Sequence, residues 1–274
     1  MKEFTMSSPI IELIKRPIRK AIRAPYFQRF WESLFDKALV GMNYWDAGKF
    51  RISGELPLVK KLFRDQENVV FFDVGANDGE YAKAIAEILP TSSKLYCFEP
   101  FSKMFALMCE TTEEIGNIQR HHFGFGAEED ILTIYYDDGI EELTSLYNNI
   151  PDRGLSHTEN VPIKTVDDFL RSEGIEKIDY LKIDVEGHEL KVLEGAKEAL
   201  KGGRIDHIQF EFGESMVDSR VFFRDFWELL HEDYAIFRIL PDGLREICEY
   251  TRNLEVFHCV NFLAIRRTKN TAGA

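Results

Sequence analysis

The hydrophobic pattern of the chain alternates between short apolar runs and longer segments with helical spacing. Residues 69–74 form the clearest run, with five apolar residues in six positions, which is typical of a strand buried on both faces of a parallel sheet. Further strands are predicted at 94–98, 118–123, 131–136, 161–164, 178–184, 205–212, 234–240 and 257–265. Helical segments separate most of them, including one predicted at 189–200; a further helix is predicted at 27–39, and a turn at 241–243 leads into the last strand. This order predicts an α/β doubly wound sheet that is mostly parallel, with a last strand that can be antiparallel.

The first predicted strand leads into a glycine-rich turn and then a helix. Gly75 and Gly79 are spaced as Gly-x-x-x-Gly, with Asn77 between them and Asp73 before them. Glycine lets the backbone approach a ligand closely, and the N-terminus of the next helix points free N–H groups at that ligand. The spacing differs from the G-x-G-x-x-G of dinucleotide-binding folds, and an acid at the strand end suits a cofactor with a positive amine. We therefore predict S-adenosylmethionine here, with an NAD-dependent oxidoreductase as the alternative.

The second predicted strand ends in Glu99 and Pro100. A carboxylate at this place can accept hydrogen bonds from both ribose hydroxyls of a nucleoside cofactor. NAD-binding folds carry an acid at a similar distance beyond their glycines, so Glu99 does not separate the two cofactors. The structural alternative for Asp73 and Glu99 is a helix cap or a solvated strand end.

A second group of polar residues follows the strand predicted at 178–184. It comprises Asp184, Glu186 and His188, and Glu211 lies inside the next apolar run. Ligands of such sheets bind beyond the carboxyl ends of the strands. An acidic group or a histidine there can take a proton from a substrate hydroxyl, and grouped carboxylates can hold Mg²⁺. The structural alternative has Asp184 capping the next helix, Glu211 paired with Lys182, and His188 exposed.

Two loops are candidates for the walls of a substrate site. The first holds Tyr44 and Trp45 just before the cofactor motif, and the second is a polar stretch that includes Thr144 and Ser145. An irregular loop as long as residues 137–160 is usually functional or disordered in a compact domain. For the first loop, the alternative is a structural one in which Trp45 anchors the loop in the core.

Composition and charge restrict the class of protein. The 274 residues suffice for one large domain with an extension, and 45% hydrophobic with 30% charged residues describes an ordinary globular protein. A net charge of −13 disfavours nucleic acid as a partner. The four cysteines form no C-x-x-C pair, which favours reduced thiols in a cytoplasmic protein. The sequence shows no apolar run of membrane-spanning length and no signal-peptide core.

Residues 1–40 are predicted to be a basic helical extension of a domain at 41–274. Residues 1–30 carry seven Lys and Arg against two Glu, a net +5, with isoleucines interleaved. A basic amphipathic segment can bind an anionic membrane surface, so peripheral membrane contact is one prediction. Packing on the acidic body, or on a second subunit of a homo-oligomer, is the alternative.

Taken in order, these motifs resemble the FkbM family of S-adenosylmethionine-dependent methyltransferases. The resemblance rests on Asp73-Val-Gly-Ala-Asn-Asp-Gly79, Phe98-Glu-Pro100 and Leu181-Lys-Ile-Asp-Val-Glu-Gly-His-Glu189, which continues to Val192-Leu-Glu-Gly-Ala196. Ser53-Gly-Glu55 and Thr144-Ser-Leu146 also resemble family segments. The match covers roughly residues 41–265 and leaves residues 1–40 outside.

The resemblance implies a class I methyltransferase (Rossmann-like) fold and O-methylation, often of sugar hydroxyls in glycans, nucleotide sugars or natural products. The cofactor contacts expected from the motifs come from Asp73, Gly75, Asn77, Gly79, Glu99, Pro100, Gly124, Ser53 and Glu55.

For the chemistry, Glu186 is the first choice as base, His188 is its rival, and Asp184 completes the catalytic group. Asp184 and Glu211 occupy places where related sugar O-methyltransferases hold a metal ion. Glu replaces Asp at two of the acidic positions, so the resemblance does not decide whether Mg²⁺ binds here. A non-catalytic binding protein on a degenerate methyltransferase fold is the third alternative. Such a protein would be expected to lose Asp184 and Glu186, and this chain keeps both.

Overall fold

A computed structural model describes residues 20–44, 50–137, 146 and 157–267. The chain divides into two compact units, Met1–Met42 and Asn43–Ala274. The division predicted at residue 40 remains a prediction.

The described part of the first unit is built around helix α1 (Pro25–Gly41), which is longer than the helix that the sequence predicts. Pro25 begins this helix, where its missing N–H removes no helical hydrogen bond. The Trp31 indole N–H donates to the Ile22 carbonyl at 2.7 Å. Large apolar side chains of α1 are exposed, among them Tyr26, Phe30 and Phe35. Among the helices of the described residues, none combines the length and hydropathy that a membrane span requires.

The second unit consists of two sheets covered by helices. Its strands are β1 (Val70–Val74), β2 (Lys94–Phe98), β3 (Ile118–His121), β4 (Gly124–Phe125), β5 (Asp130–Tyr136), β6 (His157–Lys164), β7 (Ile178–Ile183), β8 (Ile205–Phe212), β9 (Tyr234–Leu240), β10 (Gly243–Ile247) and β11 (Val260–Arg266). Its helices are α2 (Glu55–Leu62), α3 (Glu80–Ile88), α4 (Ser102–Thr111), α5 (Val166–Ser172), α6 (Glu189–Glu194), α7 (Lys197–Lys201), α8 (Ser215–Ser219) and α9 (Phe223–Leu230).

The larger sheet has eight strands in the order β10-β9-β11-β8-β7-β1-β2-β3, and β4, β6 and β5 form the smaller one. Strand β1 pairs in parallel with both β2 and β7. Its Phe71 and Phe72 are fully buried, as the unbroken apolar run predicts. The last strand, β11, is antiparallel to β8 and β9. This is the class I methyltransferase fold, and the predicted mostly parallel sheet with an antiparallel last strand is confirmed.

The strand order reverses between β1 and β7. From β1 the chain builds outward through β2 and β3, and it then returns to add β7 on the other side of β1. In open α/β sheets the crevice beyond the strand ends at such a switch point is where ligands bind. The two groups of polar residues singled out in the sequence follow β1 and β7, so the topology brings them together.

Two local predictions were wrong. The helix predicted over 189–200 is broken into α6 and α7. A Cβ added at Gly195 would lie 2.0 Å from the Gly126 carbonyl oxygen, so the break marks a close contact between two chain segments. The turn after β9 leads directly into β10, a strand that the sequence did not predict, and not into the last strand.

Candidate active site

A cavity of about 570 Å³ lies at the carboxyl ends of β1 and β7. Its walls include the turn after β1, the end of β2, the loop after β7 and the end of β8. The volume is in the range of cofactor and small-molecule sites. The cavity therefore occupies the place that the topology predicts.

The turn after β1 lines the cavity with Gly75, Ala76, Asn77 and Asp78. Gly75 has φ +81, and a Cβ there would lie 1.8 Å from the Asp184 carbonyl oxygen. Its missing side chain thus lets the ends of β1 and β7 meet.

Gly79, the second glycine of the motif, lies against α4. It is absent from the described cavity wall, has φ +83, and would place a Cβ 3.0 Å from Met108 Cγ of α4. The second glycine of the motif therefore serves the packing of α3 against α4.

Glu99 lines the cavity with both carboxylate oxygens already bound to backbone groups. Oε2 accepts from the Asn77 N–H at 2.9 Å, and Oε1 accepts from the Phe101 N–H at 2.8 Å. Burial raises the pKa of Glu99 to about 7, and these two hydrogen bonds oppose the rise. Since each carboxylate oxygen has a second lone pair, Glu99 can fix the turn and still accept hydrogen bonds from a ligand.

Asp73 is placed differently from the prediction. It is 1% exposed and does not belong to the described cavity wall. The Lys182 ammonium lies 3.4 Å from its Oδ1, an ion pair whose geometry does not make a hydrogen bond. Burial raises the pKa of Asp73, and Lys182 opposes the rise. Asp73 thus acts on the cavity through Lys182, which does line it.

Lys182 is the centre of a buried group of acids. Burial alone would lower its pKa, but Asp184, Asp73 and Glu55 outweigh that effect and hold the pKa above its ordinary value. Glu55 lines the cavity, and burial raises its pKa. Ser53, predicted as a cofactor contact, is absent from the described wall and donates to Glu55 Oε1 at 2.7 Å.

Three carboxylates face one another at the ends of β7 and β8. Asp184, Glu186 and Glu211 each offer an oxygen, and these oxygens lie within 4.8 Å of one another. Glu211 accepts a hydrogen bond from the Cys259 thiol at 2.6 Å, and burial raises its pKa. The structural alternative for Glu211, pairing with Lys182, is therefore not the arrangement found. Three grouped carboxylates match the oxygen ligands that Mg²⁺ prefers, although Lys182 Nζ already lies 3.2 Å from Asp184 Oδ2.

His188 also lines the cavity but is only 9% exposed. Burial lowers its pKa to about 4, and the Lys191 cation adds to that effect. The imidazole is therefore neutral at pH 7. With so low a pKa, it is a weak base toward a hydroxyl proton.

The predicted substrate residues are not brought to the cavity. Tyr44 is 2% exposed and stacks its ring under Arg238, whose guanidinium carbon lies 5.2 Å from the ring centroid. It does not belong to the described cavity wall, so its prediction as a substrate wall is corrected to a core position. Trp45, Thr144 and Ser145 lie outside the described residues.

The remaining predicted cofactor contacts form one end of the cavity. Pro100 and Gly124 lie there beside an apolar wall of Met104, Phe125, Ile134, Leu146, Val161 and Ile163. An apolar slot next to a carboxylate suits a nucleoside, whose base is flat and whose ribose carries hydroxyls.

Sequence reasoning assigned no part in the site to three residues of the cavity wall: Tyr81, Lys182 and Cys259. It offers Lys182 only as a structural partner of Glu211, although a charged residue inside an otherwise apolar strand is a signal, because buried lysines are nearly always paired. Tyr81 and Cys259 carry no comparable signal in the sequence.

The residues present fit S-adenosylmethionine. The buried group around Lys182 sets three carboxylates against one ammonium, which favours a ligand with positive charge. In addition, Tyr81 lines the cavity, and its buried hydroxyl has no hydrogen-bond partner among the described groups. A ligand with polar ends would supply the missing partner.

Comparisons with known proteins agree on the class. Methyltransferase 1 of Beauveria bassiana is 28% identical over 174 residues, 57% of this chain and 68% of that protein. Hexuronic acid methyltransferase AglP of Haloferax volcanii is 28% identical over 154 residues, 55% of this chain and 59% of that protein. The 2-O-methyltransferase NoeI of Sinorhizobium fredii is 25% identical over 158 residues, 53% of this chain and 65% of that protein. The chain thus spans between 59% and 68% of the length of these relatives.

Among solved structures, a methyltransferase FkbM from Methylobacillus flagellatus aligns with a TM-score of 0.43 at 16% identity, covering 72% of this chain and 43% of that one. A putative methyltransferase from Streptococcus mutans in complex with SAH aligns with a TM-score of 0.44 at 10% identity, covering 77% of this chain and 97% of that one. The family model described as "Methyltransferase FkbM domain" matches residues 73–236, more than half of the chain. The chain belongs to the FkbM methyltransferase domain family.

Proposed function

We propose that this protein is an S-adenosylmethionine-dependent O-methyltransferase that acts on a sugar hydroxyl. One observation carries the proposal: the carboxylates of Asp184, Glu186 and Glu211 lie within 4.8 Å of one another and line the same cavity as the turn after β1. A donor site and a group of potential bases therefore share one space. Two of the similar proteins are a hexuronic acid methyltransferase and a 2-O-methyltransferase, which supports a sugar hydroxyl as the acceptor.

S-adenosylmethionine, when bound, supplies a methyl group on a positively charged sulfur. At the donor site, Glu99 would accept hydrogen bonds from the ribose hydroxyls, and the backbone of Gly75 to Asn77 would hold the nucleoside. Tyr81 would donate its hydroxyl to the amino-acid end of the cofactor. The acids around Lys182 would stabilise the positive charge of the donor.

At the acceptor site, the hydroxyl whose oxygen takes the methyl group must lose its proton to a base. Glu186 takes that proton, because it follows β7 and lines the cavity. Asp184 accepts a hydrogen bond from the substrate and is held by Lys182 Nζ at 3.2 Å. A positioned base typically contributes on the order of 10² to 10⁴ in rate.

His188 takes a supporting place in this scheme. Its pKa of about 4 makes it a poor proton acceptor, and its buried ring lies against Gly126, where an added Cβ would be 3.1 Å from His188 Nε2. We assign His188 to shaping the loop and Glu186 to the proton transfer.

The cofactor half of the proposal is tested by titrating the protein with S-adenosylhomocysteine and with NAD in parallel. We expect S-adenosylhomocysteine to bind and NAD not to bind. Glu99→Ala should weaken binding by about 1.5–3 kcal/mol, the range for a hydrogen bond to a charged group. Unchanged affinity in this variant would reject the placement of the ribose.

The acceptor half is tested by methyl transfer to a panel of glycans, nucleotide sugars and hexuronic acids. Glu186→Gln keeps the shape and removes the charge, so turnover should fall while S-adenosylhomocysteine affinity stays near wild type. His188→Ala should be mild. The reverse result would make His188 the base, and two fully active variants would show that the assignment is wrong.

A further inference from the structure

The loop that carries Glu186 is held from inside the protein by the carboxyl group of Glu189. Glu189 is fully buried. Its Oε1 accepts from the Val185 N–H at 2.9 Å, and its Oε2 accepts from the Gly187 N–H at 3.0 Å. One side chain therefore binds the backbone on both sides of Glu186.

The backbone of this loop has a conformation that it would not adopt unaided. Glu186 has φ +53 and Gly187 has φ +101. A non-glycine residue with positive φ is strained and persists only where its surroundings fix it. A Cβ at Gly187 would lie 2.8 Å from the Ser215 carbonyl oxygen, so the loop is also confined on that side by α8.

Glu189 itself cannot take part in the chemistry. It is absent from the described cavity wall, whereas Glu186 belongs to it. The positive φ of Glu186 lets its two neighbouring N–H groups point inward to Glu189 while its own carboxylate faces the cavity.

We propose that Glu189 is the positioning residue for methyl transfer, an inference that rests on the proposed function. Glu189 holds the backbone of residues 185–187 so that Glu186 meets the acceptor hydroxyl. A base that is not held in position contributes little to the rate, because small displacements from the reactive geometry reduce rates strongly.

The test is Glu189→Gln, which keeps the volume but places an amide nitrogen, which cannot accept a hydrogen bond, opposite one of the two N–H groups. We expect kcat to fall on the order of 10- to 100-fold, while S-adenosylhomocysteine affinity stays near wild type. Amide hydrogen exchange at Val185 and Gly187 should become faster. Wild-type kcat, or unchanged exchange, would overturn the proposal.

The matched control is Glu255→Gln. Glu255 also accepts two backbone N–H bonds, from Phe223 at 2.9 Å and Arg224 at 3.1 Å, but it lies outside the described cavity wall. This variant should keep wild-type kcat and wild-type exchange in the loop. An equal loss of kcat in both variants would assign Glu189 a merely structural role and overturn the proposal.

A double variant separates positioning from general stability. If Glu189 acts through Glu186, adding Glu189→Gln to Glu186→Gln should cause little further loss of kcat, because residues that act as a unit are not additive. Independent, multiplying losses would contradict the proposal.

If Glu189→Gln does not fold, Gly187→Ala disturbs the same loop from the Ser215 side and should lower kcat without lowering S-adenosylhomocysteine affinity. Joint loss of both would overturn the proposal.

Failure of the proposed function would look different. A wild-type protein that binds S-adenosylhomocysteine but methylates none of the acceptors would reject O-methylation of sugars. The exchange rates of Val185 and Gly187 in the two glutamine variants would still decide whether Glu189 holds the loop.

Discussion

The ammonium of Lys182 lies 3.2 Å from the carboxylate of Asp184. It also lies 3.4 Å from Asp73 Oδ1, and Asp73 and Lys182 are paired residues of β1 and β7. One buried cation thus joins the two strands whose ends form the cavity. Asp184 is therefore held before any substrate binds.

Replacing this cation should destabilise the protein strongly. Lys182→Met leaves two neighbouring carboxylates without their partner, and breaking a buried ion pair in this way costs about 3–5 kcal/mol. The free energy of unfolding in urea measures the effect. The matched control is Lys177→Met, because Lys177 pairs with Asp179 and Asp206 at a half-exposed site and should cost only about 0–1 kcal/mol. Equal losses of unfolding free energy in the two variants would contradict the assignment of Lys182 as a buried, paired cation.

Gly75→Ala should be among the most damaging single substitutions. The new Cβ would lie 1.8 Å from the Asp184 carbonyl oxygen, at a φ of +81, so the ends of β1 and β7 must separate. We expect a loss of about 4 kcal/mol or more, measured by thermal or chemical unfolding. Gly116→Ala is the control, because nothing lies within 4 Å of its added Cβ and its φ is not positive. A mild effect at Gly75 would show that the strand ends can yield.

Stability should fall as the pH rises through neutrality. Burial raises the pKa of Glu189 to about 8 from an ordinary value of 4.5, so between these values the folded protein binds a proton that the unfolded chain has released. Stability then decreases with pH, by about 1.4 kcal/mol per pH unit for one group. Urea unfolding at pH 5, 6.5 and 8.5 should show a steeper decline for wild type than for Glu189→Gln. If the free energy of unfolding declines equally with pH in both proteins, the raised pKa of Glu189 is contradicted.

The basic N-terminal segment should bring the protein to anionic lipid. Residues 1–30 carry a net +5, and α1 exposes Tyr26 and Phe30 beside them. We expect sedimentation with anionic liposomes at low salt, fading as salt screens the charges. Neutral phosphatidylcholine vesicles are the control. If deletion of residues 1–30 leaves sedimentation unaltered, the segment has another role, such as packing on the acidic body or on a second copy of the chain.

Methyl transfer should survive the removal of divalent cations. Lys182 already contacts Asp184, and the Cys259 thiol donates to Glu211, so two of the three grouped acids are engaged by the protein's own donors. We expect dialysis against EDTA to leave kcat near the value of the untreated protein. If activity is lost and Mg²⁺ restores it, then Asp184 and Glu211 hold a metal ion, as the resemblance to related sugar O-methyltransferases suggests.

Much of the fold follows from local pattern. The apolar run before Gly75 is long enough to identify a strand buried on both faces, and the acids at or just after the ends of β1, β2 and β7 mark the strand ends. Because parallel strands bring their carboxyl ends to one edge, the sequence could predict that Glu99, Asp184 and Glu186 share a site. Their common cavity agrees with that prediction, and their roles remain to be measured.

The rest depends on contacts between distant segments. The ion pair between Asp73 and Lys182 requires the register of β1 against β7, which no local pattern contains. The break after α6 is set by the approach of Gly126 to Gly195. Tyr44 was assigned to the substrate site because aromatic residues near a motif suggest a wall, yet its partner Arg238 lies 194 positions away.

The place of β11 in the sheet has a consequence for synthesis of the chain. This strand is translated after β8 and β9, yet it lies between them and pairs with both. While the ribosome makes the chain, β8 and β9 therefore remain with open edges, the kind of surface that leads to aggregation. The hydrogen bond from Cys259 to Glu211 also cannot form until this segment has emerged. The larger sheet of the second unit therefore cannot close until β11 has been made, and nascent chains that stall before residue 260 should be clients for chaperones.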